Sequence, residues 1–214
     1  MSHRLLLPCL LSVATLAACS GGSANGPAPS RVDAAEALFE GLENLHGTAW
    51  EQMPQNGSAS FTGVAGVVID PVEARDDDDI NIIGDARVTA DFAAGTVTGR
   101  VTNMQGIIGN TDENPADEDL FDVTGRLQIG AISSGIGRND GRAPNAFRTD
   151  IRGKVTTPDD SYFVHADLEG RFLGTDPNRA QPIKGLAALG DGLAIDSDGD
   201  DTPAYVVLGG RTDR

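Results

Sequence analysis

The most reactive side chain of this protein is the thiol of Cys19, which ends the run Leu16-Ala17-Ala18-Cys19. Two small residues after an aliphatic one leave room for a peptidase at the bond before the cysteine. The thiol can accept a diacylglycerol, and cleavage frees the Cys19 amine for a further acyl chain such as palmitate. One acyl chain holds a protein on a membrane only marginally, whereas several hold it stably. The spacing therefore predicts that Cys19 is lipidated and becomes the mature N-terminus.

Residues 1–18 have the composition of a secretion signal peptide. Arg4 provides a short basic head, and the apolar stretch behind it is shorter than the about 20 residues that span a bilayer. Residues 19–32 are mostly Ser, Gly, Ala and Pro, which predicts a flexible tether. Because Ser20 rather than an aspartate follows the cysteine, we expect a lipid anchor in a Gram-negative outer membrane, on the cell surface or the periplasmic face. The alternative is an ordinary signal peptide in which Cys19 is incidental.

The composition limits the partners of the exported part. The chain has 32 acidic and 16 basic residues and a net charge of −16, which argues against nucleic acid and against direct adsorption to anionic lipid. The lipid on Cys19 is then the expected membrane contact. The only other cysteine, Cys9, leaves with the signal peptide, so the domain has no disulfide. We expect a monomer.

Residues that could perform catalysis are scarce. The chain has three histidines, of which His3 lies in the signal peptide, and it has no Gly-x-Ser-x-Gly elbow and no zinc-spaced His or Cys set. We therefore expect no enzymatic activity, no catalytic residue and no cofactor. His165 is the best candidate for a haem or metal ligand. Strand alternation places Val164 and Ala166 inward and His165 outward, unless a nearby bulge reverses the order.

Two acidic runs have some likeness to calcium loops. The run from Asp196 to Asp201 has its glycine too early and lacks the closing glutamate of an EF-hand loop. The four aspartates Asp76 to Asp79 follow Arg75. We interpret both runs as solvated turns and predict no metal site, although weak calcium binding at extracellular concentrations stays open.

One helix is predicted, from Asp33 to His46, within an N-terminal helix and lead-in at residues 33–52. Asp33 and Glu36 have capping-box spacing with Asp33 as the cap, and Gly47 is a natural stop. Leucines recur on one face at helical spacing, so the helix is expected to pack on the domain or plug it.

From Ser58 onward the hydrophobic period is two, and a short motif recurs. An apolar residue, a polar residue, glycine, a basic residue and an apolar residue form its four clearest copies, which begin at Val97, Val123, Ile151 and Leu168. An aspartate precedes each of the last three copies: Asp122, Asp150 and Asp167. Looser copies begin at Phe61 and Ile183. In a strand the apolar and glycine positions share one face and the charged positions share the other. We therefore expect a dry inner face and an outer face of paired opposite charges.

Mid-strand glycines suit a small, strongly coiled barrel, although a glycine-lined binding cavity is the alternative. Turn signals lie at residues 93–95, 139–141 and 157–160. Their spacing indicates about eight short strands, in a barrel or a sandwich.

Several segments resemble transferrin-binding protein B-like lipoproteins, in order and spacing, between about Met53 and Gly210. These are Met53-Pro54 followed by Gly57 to Ala65, Gly84-Asp85-Ala86 leading to Gly99, and Leu168 to Gly174 followed by Ile183-Lys184-Gly185. The resemblance implies a single eight-stranded antiparallel up-and-down β-barrel over residues 53–214, preceded by one short helix. The chain is most similar to the small single-barrel members called transferrin-binding protein-like solute-binding proteins.

The resemblance also implies a binding function. Relatives with this barrel capture host transferrin, haem or complement factor H. This chain has room for one barrel rather than two lobes with handle domains, so no ligand-binding residue is carried over and the ligand-binding residues are unknown. We expect capture of a host or environmental protein, haem or a small solute. The alternative is a structural or envelope lipoprotein with no specific ligand, in keeping with the 5% aromatic content.

Overall fold

The structure is a computed structural model, and it describes residues 30–69, 79–108, 120–137, 143–174 and 183–213. The predicted signal peptide, Cys19 and the tether as far as residue 29 lie outside the described residues, as do the turn at residues 139–141 and residues 75–78 of the acidic run. Within the described ranges, no helix has both the length and the apolar character needed to cross a membrane.

The helix α1 runs from Arg31 to Glu43, two residues earlier than the sequence pattern predicts. Ser30 is its cap, because its hydroxyl accepts a hydrogen bond from the Asp33 backbone N–H while the Asp33 carboxylate accepts from the Ser30 N–H. Asp33 is therefore the third residue of the capping box, and its predicted role as the cap was wrong. The helix ends at Asn44, before the predicted stop at Gly47.

Within the ranges that the structure describes, ten strands and a short 3-10 helix at Trp50–Gln52 follow the helix. The strands are β1 (His46–Gly47), β2 (Ser58–Ile69), β3 (Ile80–Asp91), β4 (Thr96–Ile108), β5 (Leu120–Gly125), β6 (Leu127–Ile136), β7 (Ala146–Thr156), β8 (Ser161–Gly174), β9 (Gly185–Ile195) and β10 (Asp201–Thr212). Every pairing between them is antiparallel. The prediction of an all-β fold with one N-terminal helix is confirmed.

The strand pairings form a closed ring. The order runs β8-β9-β10-β2-β3-β4, continues through β5 and β6 to β7, and returns to β8 through the pairing of β7 with β8. The count of ten differs from the eight predicted for two local reasons. The two-residue β1 pairs only with the end of β8. Gly125, at a φ of 113°, interrupts one predicted strand and separates β5 from β6, both of which pair with β4.

The predicted alternation of inner and outer residues is largely confirmed. The apolar members of the four clear motif copies are buried, and their basic members are exposed. The inner face forms one hydrophobic core, in which the Phe172 ring lies 5.1 Å from Phe147, 5.5 Å from Phe92 and 6.1 Å from Phe61, between ring centroids. The inside of the ring is thus occupied by side chains.

The loose motif copy at Ile183 to Ala187 was placed with the wrong face inward. Leu186 is fully buried within the core, and its neighbour Gly185 faces outward. The reason is that the helix α1 packs on this outer surface. A Cβ at Gly185 would lie 2.6 Å from the Leu42 side chain, and one at Gly209 would lie 2.7 Å from the Phe39 ring. The two glycines therefore make room for the helix on the outside of the ring.

The start of α1 is attached to a different part of the same outer surface. Arg31 forms an ion pair of 3.5 Å with Asp85 on β3 and donates a hydrogen bond to the backbone carbonyl of Asn103 on β4. Asn103 has a positive φ of 52°, where β3 and β4 change register, and its side chain donates to Asp85 at 2.9 Å. The helix therefore lies across the outside of the ring and does not plug it.

Candidate functional site

The histidine favoured as a ligand is exposed on the outside of the ring. His165 lies on β8 opposite Arg152 of β7 and Leu193 of β9, and its side chain faces away from the core. Cys19 lies outside the described residues. Among the described residues, no group of three or more His, Cys, Asp or Glu side chains is placed to hold a metal ion.

The acidic run at Asp196 forms a turn that its own first carboxylate organises. One oxygen of Asp196 accepts hydrogen bonds of 2.8–2.9 Å from the backbone N–H groups of Asp198, Gly199 and Asp200. Gly199 adopts a φ of 92°, which favours glycine. Ser197 donates to Asp160 across the turn and lowers the pKa of that carboxyl. These contacts explain the run as a structural turn.

Asp150 is a carboxylate that the sequence pattern placed on the exposed face but that is almost completely buried. β6 and β7 lose their register between Ile129 and Ser134, so a bulge of β6 covers the Asp150 side chain. One oxygen accepts the N–H groups of Ile132 and Ser133 at 3.0 and 2.8 Å, and the other accepts Arg152 Nε at 3.0 Å. Burial raises the pKa of this carboxyl, but the three hydrogen bonds outweigh burial, and the pKa lies below its usual value. Asp150 therefore serves to hold the bulge.

A cavity of about 550 Å³ opens on the outer face of β2, β3, β4 and β6, and we call it the arginine groove. Its charged lining residues are Arg87, Arg100, Arg126 and Asp213. Hydroxyl and amide groups complete the polar lining and come from Ser60, Thr89, Thr98 and Gln128. A volume of this size is typical of small-molecule sites, which span about 300–1,000 Å³.

The strand register brings these groups into two adjoining rows. Arg87 on β3 lies directly opposite Arg100 on β4, which in turn lies opposite Gln128 on β6. A second row, formed by Ser60, Thr89 and Thr98, runs parallel to the first. Neighbouring strands are about 4.7–4.9 Å apart, so the donors of each row follow one another at about that spacing.

Glycines allow the strands of the groove to approach closely. Gly99 precedes Arg100 and lies opposite Val88, and a Cβ there would lie 2.3 Å from the Arg87 carbonyl oxygen, so only glycine allows β3 and β4 to approach this closely. Arg126 lies at the interruption after Gly125, where a Cβ would lie 2.2 Å from the Lys154 carbonyl oxygen. The Arg126 backbone N–H donates to that same carbonyl at 3.3 Å. The glycine motif thus positions the groove's arginines as well as the core.

The three arginines of the groove have exposed side chains. In the described part of the chain, no hydrogen bond or ion pair engages their guanidinium groups. Other arginines on the outer face do have acidic partners, since Arg148 pairs with Asp167 at 3.1 Å and Arg152 with Asp150. The predicted pairing of opposite charges therefore holds on β7 and is wrong between β3 and β4, where like charges face each other.

Sequence reasoning missed this groove because its key feature depends on register. Each arginine occupies an outward position of its own strand, and the pattern predicts that much. Only the pairing of β3 with β4 places Arg87 against Arg100. The signal available in the sequence was weak. The structure confirms a hairpin turn at Ala93-Ala94-Gly95, and Arg87 and Arg100 are each four residues from the strand ends, Asp91 and Thr96, that flank it.

A second exposed feature of the outer face is apolar. Phe163 on β8 lies opposite Ile195 on β9, and Leu193 lies two residues before Ile195. These side chains, together with Tyr205 on β10, are between 36 and 51% exposed. Asp201 lies opposite Ile195, and Asp191 lies opposite Tyr205. The apolar patch is therefore bordered by acidic residues.

No protein-family model and no curated protein matches the chain. Among solved structures, the fold is similar to a crystal structure of the vaccine antigen transferrin binding protein B from Haemophilus parasuis, in a form with one tryptophan changed to alanine. The TM-score is 0.40 and the sequence identity 13%, over 79% of this chain and 29% of that one. The chain thus spans less than a third of the length of that protein.

Proposed function

We propose that this protein is a lipid-anchored outer-membrane lipoprotein whose β domain captures a ligand on its outer surface. The observation that carries the proposal is the arginine groove, an open cavity of about 550 Å³ with free donor groups. Core side chains occupy the inside of the ring, which supports a ligand site on the outside, at the groove. The ligand class follows the sequence expectation of a protein, haem or a small solute, and the role is binding rather than catalysis.

The proposal includes an eight-stranded up-and-down barrel of the transferrin-binding protein B type. β5 and β6 together occupy one position of the ring, between β4 and β7, and β1 is a short addition to β8. Counted this way, the ring has eight positions in chain order. A closed barrel has no free edge, so hydrogen exchange should find the backbone amides of β7 and β8 as well protected as those of β2 and β3. Fast exchange along one side of β7 or β8 would contradict closure.

The anchor is tested by replacing Cys19 with serine. In a Gram-negative host, the wild-type chain should fractionate with the outer membrane and carry the mass of attached acyl chains. Cys19→Ser removes the thiol, so it should leave the chain unlipidated, either as an unprocessed precursor or free of the outer membrane. Normal processing with unchanged outer-membrane retention would refute the anchor. Protease treatment of intact cells then separates a surface-facing from a periplasm-facing domain.

The capture function is tested with the full chain purified in an uncharged detergent. Immobilised protein is incubated with serum or with spent growth medium, and retained protein and small molecules are identified by mass spectrometry. A parallel titration with haem follows the Soret band. A retained ligand that binds at the groove, or a shifted Soret band, supports capture. No retained molecule and an unshifted band would refute it.

The second candidate is a structural envelope lipoprotein without a specific ligand. One observation favours it: among the described residues that line the arginine groove, Phe61 alone is aromatic, whereas recognition surfaces are usually rich in Tyr and Trp. Deleting the gene separates the two. An envelope defect that a groove-disrupted variant rescues fully would support the structural role.

A further inference from the structure

We propose that the arginine groove binds a small oligoanion, a molecule with two or three phosphate or carboxylate groups, through Arg87, Arg100 and Arg126. The inference rests on the proposed binding function and assigns its ligand class. The chain carries twice as many acidic as basic residues, 32 against 16, yet these three arginines meet in one cavity. An anionic ligand would provide negative charge beside these three guanidinium groups.

The pairing of Arg87 with Arg100 carries the argument. Like charges directly opposite each other on neighbouring strands are destabilising, and folding gains nothing from this arrangement. On the adjacent β7 the same outer face pairs Arg152 with Asp150 at 3.0 Å. Arg148 and Arg152 beside the groove thus contact acidic partners, whereas among the described residues no carboxylate contacts the guanidinium groups of the three groove arginines. This contrast is expected where a ligand, rather than the protein, completes the charge balance.

The spacing fits an anion with more than one charged group. Arg87 and Arg100 are direct cross-strand neighbours, and such pairs are about 5 Å apart. Arg126 precedes Gln128, the residue opposite Arg100, by two positions, which places it at a diagonal distance of about 7–8 Å from Arg100. Guanidinium groups bind both carboxylate and phosphate in a bidentate manner. Three of them at these separations match two or three linked oxyanions better than a single one.

The remaining polar lining of the groove is compatible with the same ligand. The hydroxyls of Ser60, Thr89 and Thr98 and the amide of Gln128 can each donate to oxygen. Among the described residues of the lining, Asp213 is the acidic one, and its backbone N–H donates to the Ser60 carbonyl oxygen at 3.0 Å. Its carboxylate repels an anion. Asp213 should therefore weaken binding, and its replacement offers a test with the opposite sign.

The test uses the full chain in an uncharged detergent at low salt, with tripolyphosphate and citrate as probes in separate calorimetric titrations and orthophosphate as the single-charge-centre comparison. Low salt matters because exposed charges are screened over about 8 Å at physiological ionic strength. We expect the wild type to bind at least one oligoanion more tightly than orthophosphate. We expect Arg100→Gln to weaken that binding by about tenfold or more, the effect of one lost charge-assisted hydrogen bond.

A charge-matched control separates the groove from general electrostatics. Arg171 on β8 is exposed, lies opposite Ala146 and Ala187, and lines no part of the groove. Arg171→Gln changes the net charge by the same amount, and we expect it to leave affinity within about twofold of wild type, the size of a screened long-range effect. Asp213→Asn should tighten binding.

Thermal unfolding shows whether each variant is folded and gives a second readout. Without ligand, Arg100→Gln should melt at or slightly above the wild-type temperature, because it removes like-charge repulsion. At one fixed concentration, the oligoanion should raise the melting temperature of the wild type and of Arg171→Gln more than that of Arg100→Gln. A melting temperature of Arg100→Gln well below that of the wild type without ligand would show that Arg100 stabilises the fold, and would overturn the proposal.

Two calorimetric results would also overturn the proposal: binding of neither oligoanion by the wild type, or equal loss of affinity in Arg100→Gln and Arg171→Gln. Equal affinity for orthophosphate and the oligoanions would overturn the multivalent fit. The tighter of tripolyphosphate and citrate identifies the preferred oxyanion. If the oligoanion proposal fails, the membrane anchor at Cys19 and the capture of a neutral or protein ligand are still tested by their own assays. The two proposals can therefore fail separately.

Discussion

The buried carboxylate of Asp150 provides the sharpest test of the structure. Its side chain is 1% exposed and accepts hydrogen bonds from two backbone N–H groups of the β6 bulge and from Arg152. In Asp150→Ala these three donors lose their acceptor, and Arg152 keeps a charge without its partner. Leaving a buried N–H donor without an acceptor costs about 1–3 kcal/mol, and two backbone donors are affected, whereas the remaining Arg152 side chain is 24% exposed, so we expect a loss of about 2–6 kcal/mol of the free energy of unfolding. For a chain of this size that lowers the melting temperature by about 4–24 °C, at about 2–4 °C per kcal/mol.

Two further variants separate the contributions at this site. Asp150→Asn keeps an oxygen for the N–H groups of Ile132 and Ser133 but loses the charge that Arg152 contacts, so we expect a loss of about 1–3 kcal/mol. Asp167→Ala removes the partner of Arg148 in an exposed ion pair whose side chains are 43 and 50% exposed. Such pairs contribute about 0–1 kcal/mol, so this control should be nearly neutral.

The pH dependence follows from the lowered pKa of Asp150. The folded-state pKa lies below that of the unfolded chain, so the charged carboxylate stabilises the fold above the unfolded pKa of about 3.9. That contribution is lost as the pH falls through the folded-state pKa. The stability difference between the wild type and Asp150→Asn should therefore be full at pH 7 and shrink progressively below pH of about 3.9.

Urea denaturation followed by far-UV circular dichroism measures all four proteins at several pH values. The reasoning is refuted if Asp150→Ala loses less than about 1 kcal/mol at pH 7, the value of an ordinary exposed interaction. It is also refuted if the gap between the wild type and Asp150→Asn is the same at pH 3 as at pH 7.

Two other predictions test the packing of the ring. Phe172→Ala removes the ring that contacts three other phenylalanines in the core, so it should cost about 3–5 kcal/mol by urea denaturation, and a loss below about 1 kcal/mol would contradict a filled interior. Gly190→Ala would place a Cβ 1.9 Å from the Asp167 carbonyl oxygen, so it should cost about 1–3 kcal/mol or more of the free energy of unfolding. Gly174→Ala meets only ordinary contacts at 3.6 Å and should stay within about 0.5 kcal/mol of the wild type. Equal effects of the two substitutions would refute the close approach of β8 and β9.

The sequence was sufficient to predict the properties that depend on one strand at a time. Strict alternation around Val97, Ile151 and Leu168 identified the inner face, because side chains of a strand alternate regardless of which strand lies beside it. The same reasoning placed His165 outside. The helix was found from its leucine spacing, but its start was placed late because Ser30 and Asp33 are both suitable caps and only the structure shows which hydroxyl or carboxylate accepts the N–H groups.

Features that depend on neighbouring strands were not predictable in this way. Asp150 occupies an outward position, and it is buried only because β6 bulges over it where the register with β7 changes. Gly185 was assigned to the inner face, and the helix α1 covers it on the outer one. Gly125 was read as a mid-strand glycine, but its φ of 113° separates β5 from β6. In each case a second element determines the outcome, and one sequence does not specify which element that is.

The arginine groove is the clearest consequence of this difference between strand and register. The charged positions of the motif suggest cross-strand pairs of opposite charge, and Asp167 of the fourth copy forms one with Arg148, which lies outside the motif. The hairpin between β3 and β4 differs, because its turn is centred between Arg87 and Arg100 and therefore places these two like charges opposite each other. A shift of one residue in that turn would separate the two arginines. The turn at Ala93-Ala94-Gly95 therefore determines the arginine groove together with the guanidinium groups, because its length decides whether Arg87 and Arg100 lie opposite each other.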